Sequence, residues 1–171
     1  MLGNPKIIAL TGVHGTGKTT KVNALAAKFR RDPDCKVGVI TEIARLCPMP
    51  VYSLGCHYPS IEAQMWIFGA QLQAEAAAYD KYDIIISDRT LIDCIAYTRY
   101  FGYHDLARAM EIFAKSLIYR YADIIFHFIA DHDYLVDDGF RSMDPDARKK
   151  IEKILHLTYL RLNLKIQRQY I

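Results

Sequence analysis

Eight consecutive residues, Gly12-Val13-His14-Gly15-Thr16-Gly17-Lys18-Thr19, carry the most specific chemistry in the chain. They satisfy the pattern G-x-x-x-x-G-K-[ST] at every specified position. Glycines let the backbone bend until successive N–H groups point inward around phosphate oxygens, and the following helix adds its positive N-terminal end. Lys18 is expected to reach the β- and γ-phosphates of a nucleotide, and the Thr19 hydroxyl to ligate Mg²⁺. The predicted nucleotide-binding set is Gly12, His14, Gly15, Thr16, Gly17, Lys18, Thr19 and Thr20, with His14 as variable filler of the loop.

Three further clusters follow the ends of strand-like runs. Asp88 and Arg89 leave the run Ile84-Ile85-Ile86-Ser87, at the sheet rim where open α/β folds bind ligands. Asp88 is a candidate for holding Mg²⁺ through water and Arg89 for holding an anionic or hydroxyl-bearing group. A helix N-cap by Asp88 beside a solvated arginine is the plainer alternative. Glu42 and Arg45 follow Val37–Ile40; Glu42 could accept a proton from a substrate hydroxyl or order the magnesium waters, and Arg45 could clamp the acceptor. Val136–Ser142 places Arg141 in a glycine-containing segment that could close over the triphosphate and offset charge on the transferred group. Arg148 and Lys149 stand further on, and a solvated charge run is the expectation for Arg148. Gln64, Phe68 and Gln71 share one helical face, where glutamines beside an aromatic could read and stack a base; packing in the core is the alternative.

Strands and helices alternate in a way that can position these residues. Strands are expected at Lys6–Thr11, Lys36–Thr41, Asp83–Ser87 and Ala122–Ala130. Helices are expected at about Gly17–Arg30, Ile61–Tyr79 with Ser60 as cap, Leu91–Phe101, Asp105–Tyr119, and from Asp144 or Asp146 onward. Short apolar strands alternating with helices imply an α/β fold, a parallel sheet covered on both faces. After the fourth strand the pattern reads as helix to Ile171, with no clear fifth strand and no counterpart of the loop that would flank adenine. Weak base selectivity is the expectation that follows.

Composition is that of an ordinary globular protein: 171 residues, 51% apolar and 24% charged, with a formal net charge of +3. One domain is expected over residues 1–171, with a lid segment around 133–148. The small positive surplus suits anionic small molecules and does not favour nucleic acid. No run approaches the length of a spanning helix and no secretory signal is evident, so a cytoplasmic protein without a membrane partner is expected, and a homodimer is admitted. Cys35, Cys47, Cys56 and Cys94 show no metal spacing, although Cys56-His57 near Cys47 is half of one; thiols in a reducing compartment are the expectation.

With these segments in this order, the sequence resembles the P-loop small-molecule kinases of the nucleoside and nucleotide kinase group. More narrowly, it is similar to the AAA-type ATPase/kinase family that includes the ribosylnicotinamide kinase domain of NadR proteins. The resemblance runs from about Ile7 to Arg148 and includes Asp93 and Tyr97 downstream of Asp88-Arg89. It implies a three-layer α/β/α fold, a five-stranded parallel sheet of order 2-3-1-4-5, ATP with Mg²⁺, and an arginine lid. Carried onto matching positions, it puts Lys18 and Thr19 on phosphate and metal, Asp88 in the metal region, Arg89 and Arg45 on the acceptor, and Arg141 in the lid. Deoxynucleoside kinases similarly place an acidic base after the second strand, where Glu42 stands. Thymidylate kinases similarly carry Asp-Arg after the third, but their arginine-glutamate-proline-glycine segment after the second is absent. The expected activity is ATP- and Mg²⁺-dependent phosphoryl transfer to a nucleoside- or nucleotide-like small molecule, with Lys18, Glu42, Asp88 and Arg141 as the catalytic set. A 5′-hydroxyl polynucleotide kinase and a regulatory ATP-binding switch are the alternatives.

Overall fold

The computed structural model describes residues 5–51, 59–128 and 144–170. Five parallel strands form one sheet: β1 (Lys6–Thr11), β2 (Val37–Ile40), β3 (Ile84–Asp88), β4 (Tyr121–Phe128) and β5 (Gln167–Tyr170). Their order is β2-β3-β1-β4-β5, so β1 lies at the centre. The helices are α1 (Lys18–Phe29), α2 (Ile61–Tyr79), α3 (Leu91–Tyr100), α4 (His104–Ala114) and α5 (Pro145–Arg161). No helix among the described residues is long and apolar enough to cross a membrane.

Alternation along β1 explains the layers. Ile7 and Ala9 point into a core shared with α2, α3, α4 and α5, where Ile85, Ile95, Phe126, Leu155 and Tyr159 are fully buried. Leu10 points to the opposite face and meets Ile86 and, on α1, Val22 and Ala26. A strand buried on both faces must be apolar throughout, which is why β1 and β3 read as unbroken apolar runs. Ser60 caps α2 by accepting a hydrogen bond from the Ala63 N–H at 3.2 Å, and Asp144 caps α5 through the Asp146 N–H at 2.9 Å.

Two expectations are corrected and one alternative is removed. The chain is not helical to its end: α5 stops at Arg161 and β5 pairs with β4 in register Ile125↔Gln167. Asn163 adopts the left-handed conformation (φ 59), its N–H bonding to the Leu160 carbonyl while the Leu164 N–H reaches that of Tyr159. This is a Schellman stop with asparagine where glycine is usual. Because the fifth strand exists, the ground for expecting weak base selectivity is gone. The helix expected over Asp105–Tyr119 ends at Ala114, where Ser116 donates its hydroxyl to the Phe113 carbonyl at 2.7 Å and the backbone tightens into i→i−3 bonds. Asp88 is not the cap of α3: Thr90 is, with Asp93 completing a reciprocal capping box.

Candidate active site

Both ends of the phosphate loop are set by the sheet. Gly12 leaves β1 at φ +127, and a Cβ there would stand 2.3 Å from the His127 carbonyl oxygen, so only glycine fits against β4. Gly17 is left-handed (φ 69) at the N-cap of α1 and offers no side-chain cap, leaving the first helical N–H groups to face a ligand. Gly15, Thr16, Gly17, Lys18, Thr19 and Thr20 line a pocket of about 380 Å³ whose wall is completed by Glu42 and Asp88.

Lys18 is buried in this pocket. Its ammonium donates to the Val13 carbonyl and lies 3.4 Å from the Thr16 hydroxyl. Burial first and Arg89 second lower its pKa to about 7, with Asp88, Glu42 and Asp93 opposing the shift. Phosphate oxygens would supply the missing counter-charge. Leu10 pairs with Asp88 in the β1–β3 register, which brings Thr19 to Asp88: the Thr19 hydroxyl donates to Asp88 Oδ2 at 2.8 Å. Asp88 Oδ1 is buried with no hydrogen-bond partner among the described residues. A hydroxyl beside a carboxylate oxygen in want of a partner suits a hard, oxygen-seeking cation that keeps several waters, which is the behaviour of Mg²⁺. The described residues contain no cluster of three or more His, Cys, Asp and Glu, as a transition-metal site would require.

A second pocket, of about 480 Å³, opens on the other side of Glu42. Val51, Ile67, Cys94, Tyr97 and Phe101 give it apolar and aromatic walls, Gln64 adds an amide, and Glu42, Arg89 and Asp93, beside His14, give it a charged end. Arg89 is buried, not solvated. Its Nε donates to Glu42 Oε1 at 2.9 Å and its Nη1 to the Gly12 carbonyl at 3.2 Å, with Asp93 Oδ1 at 3.4 Å. The guanidinium lies 5.0 Å from the centre of the Tyr97 ring. To reach this position Arg89 takes φ +84, a left-handed backbone that is strained for a residue with a side chain. Arg45 donates from Nε to Glu42 Oε2 at 3.0 Å. Glu42 thus stands between two guanidinium groups, which fix the direction of its carboxylate at the boundary of both pockets.

Most of the expected residues converge here, but Phe68, Gln71 and Arg45 line neither pocket, and His14 lines the second pocket and not the phosphate pocket. Phe68 lies outside the pocket, packed edge-on against Phe113 at 6.0 Å between ring centres, so the face of α2 divides. Gln64 lines the pocket, and Gln71 is buried behind it. Arg141 lies outside the described residues, as do Cys56, His57 and most of the lid segment 133–148. Two further residues, His127 and Arg148, brace the phosphate loop from outside its motif. His127 donates from Nδ1 to the Thr16 carbonyl at 2.9 Å and so supports the phosphate loop from β4; burial lowers its pKa. The only sequence signal was one polar residue inside Ile124-Ile125-Phe126-His127-Phe128. Arg148 is buried and donates to the His14 carbonyl at 3.1 Å, against the expectation of a solvated charge. It shares the helical face of Ile151, Leu155 and Tyr159, which is the spacing that marks it as inward-facing.

A family model described as AAA domain matches residues 7–168. No curated protein shows significant similarity to the chain. Among solved structures, the thymidylate kinase from Ehrlichia chaffeensis is similar at 17% identity and TM-score 0.63, over 99% of this chain and 93% of that one. The NadR protein in complex with NR is similar at 19% identity and TM-score 0.74. That match covers 97% of this chain but only 45% of NadR, so the chain spans less than half of that protein. The deoxyadenosine kinase from M. mycoides is similar at 13% identity and TM-score 0.64, over 96% of this chain and 89% of that one. Likeness at such identities is a likeness of fold, and it agrees with the sheet order and the loop described above. The chain belongs to the AAA domain family and has a P-loop nucleoside kinase-like fold.

Proposed function

We propose that this protein is an ATP- and Mg²⁺-dependent phosphotransferase whose acceptor is the hydroxyl of a nucleoside-like small molecule. The observation that carries the reading is the pair of pockets sharing Glu42, one built for phosphate and the other with aromatic walls and a charged end. The resemblance in fold to a thymidylate kinase and a deoxyadenosine kinase supports it.

Each residue then has a role. The loop N–H groups and Lys18 hold the β- and γ-phosphates, and Thr19 with Asp88 would hold Mg²⁺, which draws charge from the phosphate oxygens. Arg89 and Glu42 orient the acceptor hydroxyl toward the γ-phosphorus. As the new O–P bond forms, the bond to the β,γ-bridging oxygen breaks and its electron pair leaves with ADP. The hydroxyl proton passes to the Glu42 carboxylate and on to water. Arg141, from the lid segment, would meet the charge on the group in flight.

Charge favours a nucleoside over a nucleotide as acceptor. The second pocket carries Glu42 and Asp93 against Arg89, whose Nε and Nη1 are already taken by protein oxygens. Among the residues that line this pocket, a phosphate would meet two carboxylates and one guanidinium, Arg45 reaching Glu42 from outside it.

The test is ADP release measured across a panel of nucleosides and nucleoside monophosphates with Mg·ATP. Release that depends on a nucleoside, and is lost in Lys18→Ala, is expected. Slow hydrolysis that no acceptor stimulates would point to a regulatory ATPase. Stimulation by 5′-hydroxyl oligonucleotides, falling steeply with salt, would point to polynucleotide substrates.

A further inference from the structure

Arg89 needs more than its own side-chain contacts to stay where it is, because its backbone is strained and its neighbour Asp88 faces the other pocket. Behind the turn lies a continuous run of hydrogen bonds. The Ser87 hydroxyl donates to the Arg89 carbonyl at 2.7 Å, and Gln71 Nε2 reaches Ser87 Oγ at 3.4 Å. The same Nε2 donates to Glu75 Oε1 at 2.9 Å. Tyr121 donates its hydroxyl to Glu75 at 2.9 and 3.1 Å and accepts from the Leu91 N–H at 3.2 Å. The run therefore leaves the chain at the Arg89 carbonyl and returns to it two residues later, at the first helical N–H of α3. Ser87, Gln71 and Glu75 are almost wholly buried, and none of them lines either pocket.

We propose that Gln71 and Glu75 are positioning residues for Arg89: acting through Ser87 and Tyr121, they clamp the 87–91 turn and hold the guanidinium at the charged end of the acceptor pocket. A carboxyl group in this core is costly unless paired. What the polar run adds is two fixed points on either side of Thr90, one on a carbonyl and one on an N–H. With either point released, the left-handed conformation at Arg89 can relax and carry the guanidinium away from Glu42 and Gly12.

The effect on turnover rests on the reading of the 480 Å³ pocket as the acceptor site; the effect on Arg89 does not. Ser87→Ala removes the link at little change in volume. It should raise the acceptor KM about tenfold while Mg·ATP affinity stays within about twofold. Combined with Arg89→Ala it should add nothing, because both changes remove the same interaction. Glu75→Ala should match Ser87→Ala, whereas Glu75→Gln should retain the parent KM, since Gln71 and Tyr121 both reach Oε1 and an amide oxygen can accept from both. Independently of activity, the Arg89 Nε–H, held on Glu42, should exchange with solvent at least about tenfold faster in Ser87→Ala by nitrogen-15 NMR. If Glu75→Ala fails to fold, Ser87→Ala and the exchange rate decide. An unchanged KM and exchange rate in Ser87→Ala, or an equal loss in the Arg89→Ala background, would overturn the proposal. A wild-type protein that no nucleoside stimulates would remove the kinase reading and leave the exchange measurement standing.

Discussion

Lys18 is the residue where binding and protonation meet. Burial and the nearby Arg89 hold its pKa near 7, whereas a phosphate counter-charge favours the ammonium form. Nucleotide binding at about pH 8 should therefore draw nearly one proton from solution, and at about pH 5.5 almost none. Calorimetric binding enthalpies in buffers of different ionisation enthalpy measure this directly; a zero slope at the higher pH would contradict the assignment. Gly12 is the second residue whose chemistry is settled by contact. Gly12→Ala must push against the His127 carbonyl 2.3 Å away at an unfavourable φ. A loss of about 1–3 kcal/mol is expected from overpacking, read as a lower denaturation midpoint, together with weaker nucleotide binding.

Among the elements, those with strong local signals could be read from sequence, and the others were settled by partners far away in the chain. The phosphate loop, the Ser60 cap of α2 and the isoleucine run of β3 are each specified by adjacent residues. β5 has four residues and its edge position comes only from pairing with β4, while the helix before it stops at an asparagine instead of a glycine or proline. The burial of Arg89 and Arg148 is likewise long-range, since their acceptors Gly12 and His14 lie 77 and 134 positions away. If Asn163 ends α5 as described, Asn163→Val should cost about 1–2 kcal/mol, the left-handed penalty for a β-branched residue, whereas Asn163→Gly should be near neutral. Equal effects of the two in urea denaturation would exclude the left-handed stop.

At the scale of the whole molecule, two buried charges shape stability against pH. Glu75 ionises near 4.5 when unfolded and near 7 in the fold, chiefly because of burial, with Gln71 and Tyr121 opposing the shift. The folded state holds the extra proton between those values, so stability falls as pH rises through that window and the full cost applies above about 7. Lys18 runs the other way: its cost is complete below about 7 and is relieved as pH rises toward 10.5. Near neutrality both costs are present together. Glu75→Gln should raise Tm by roughly 5 °C or more at about pH 8 and leave it unchanged near pH 4.5. A shift of the same size at both pH values would place the effect in packing.

Glu42 forms part of the wall of both pockets and is held between Arg45 and Arg89. A ligand in either pocket changes the electrostatic field and the hydrogen bonds that the other ligand meets at this one carboxylate. Occupancy of the two pockets is therefore a heterotropic equilibrium, and reciprocity fixes its form. If the pockets take Mg·ATP and an acceptor as proposed, whatever factor Mg·ATP applies to acceptor affinity, the acceptor must apply to Mg·ATP. Glu42→Gln, which removes the charge and keeps the shape, should bring that factor toward unity from both directions at once.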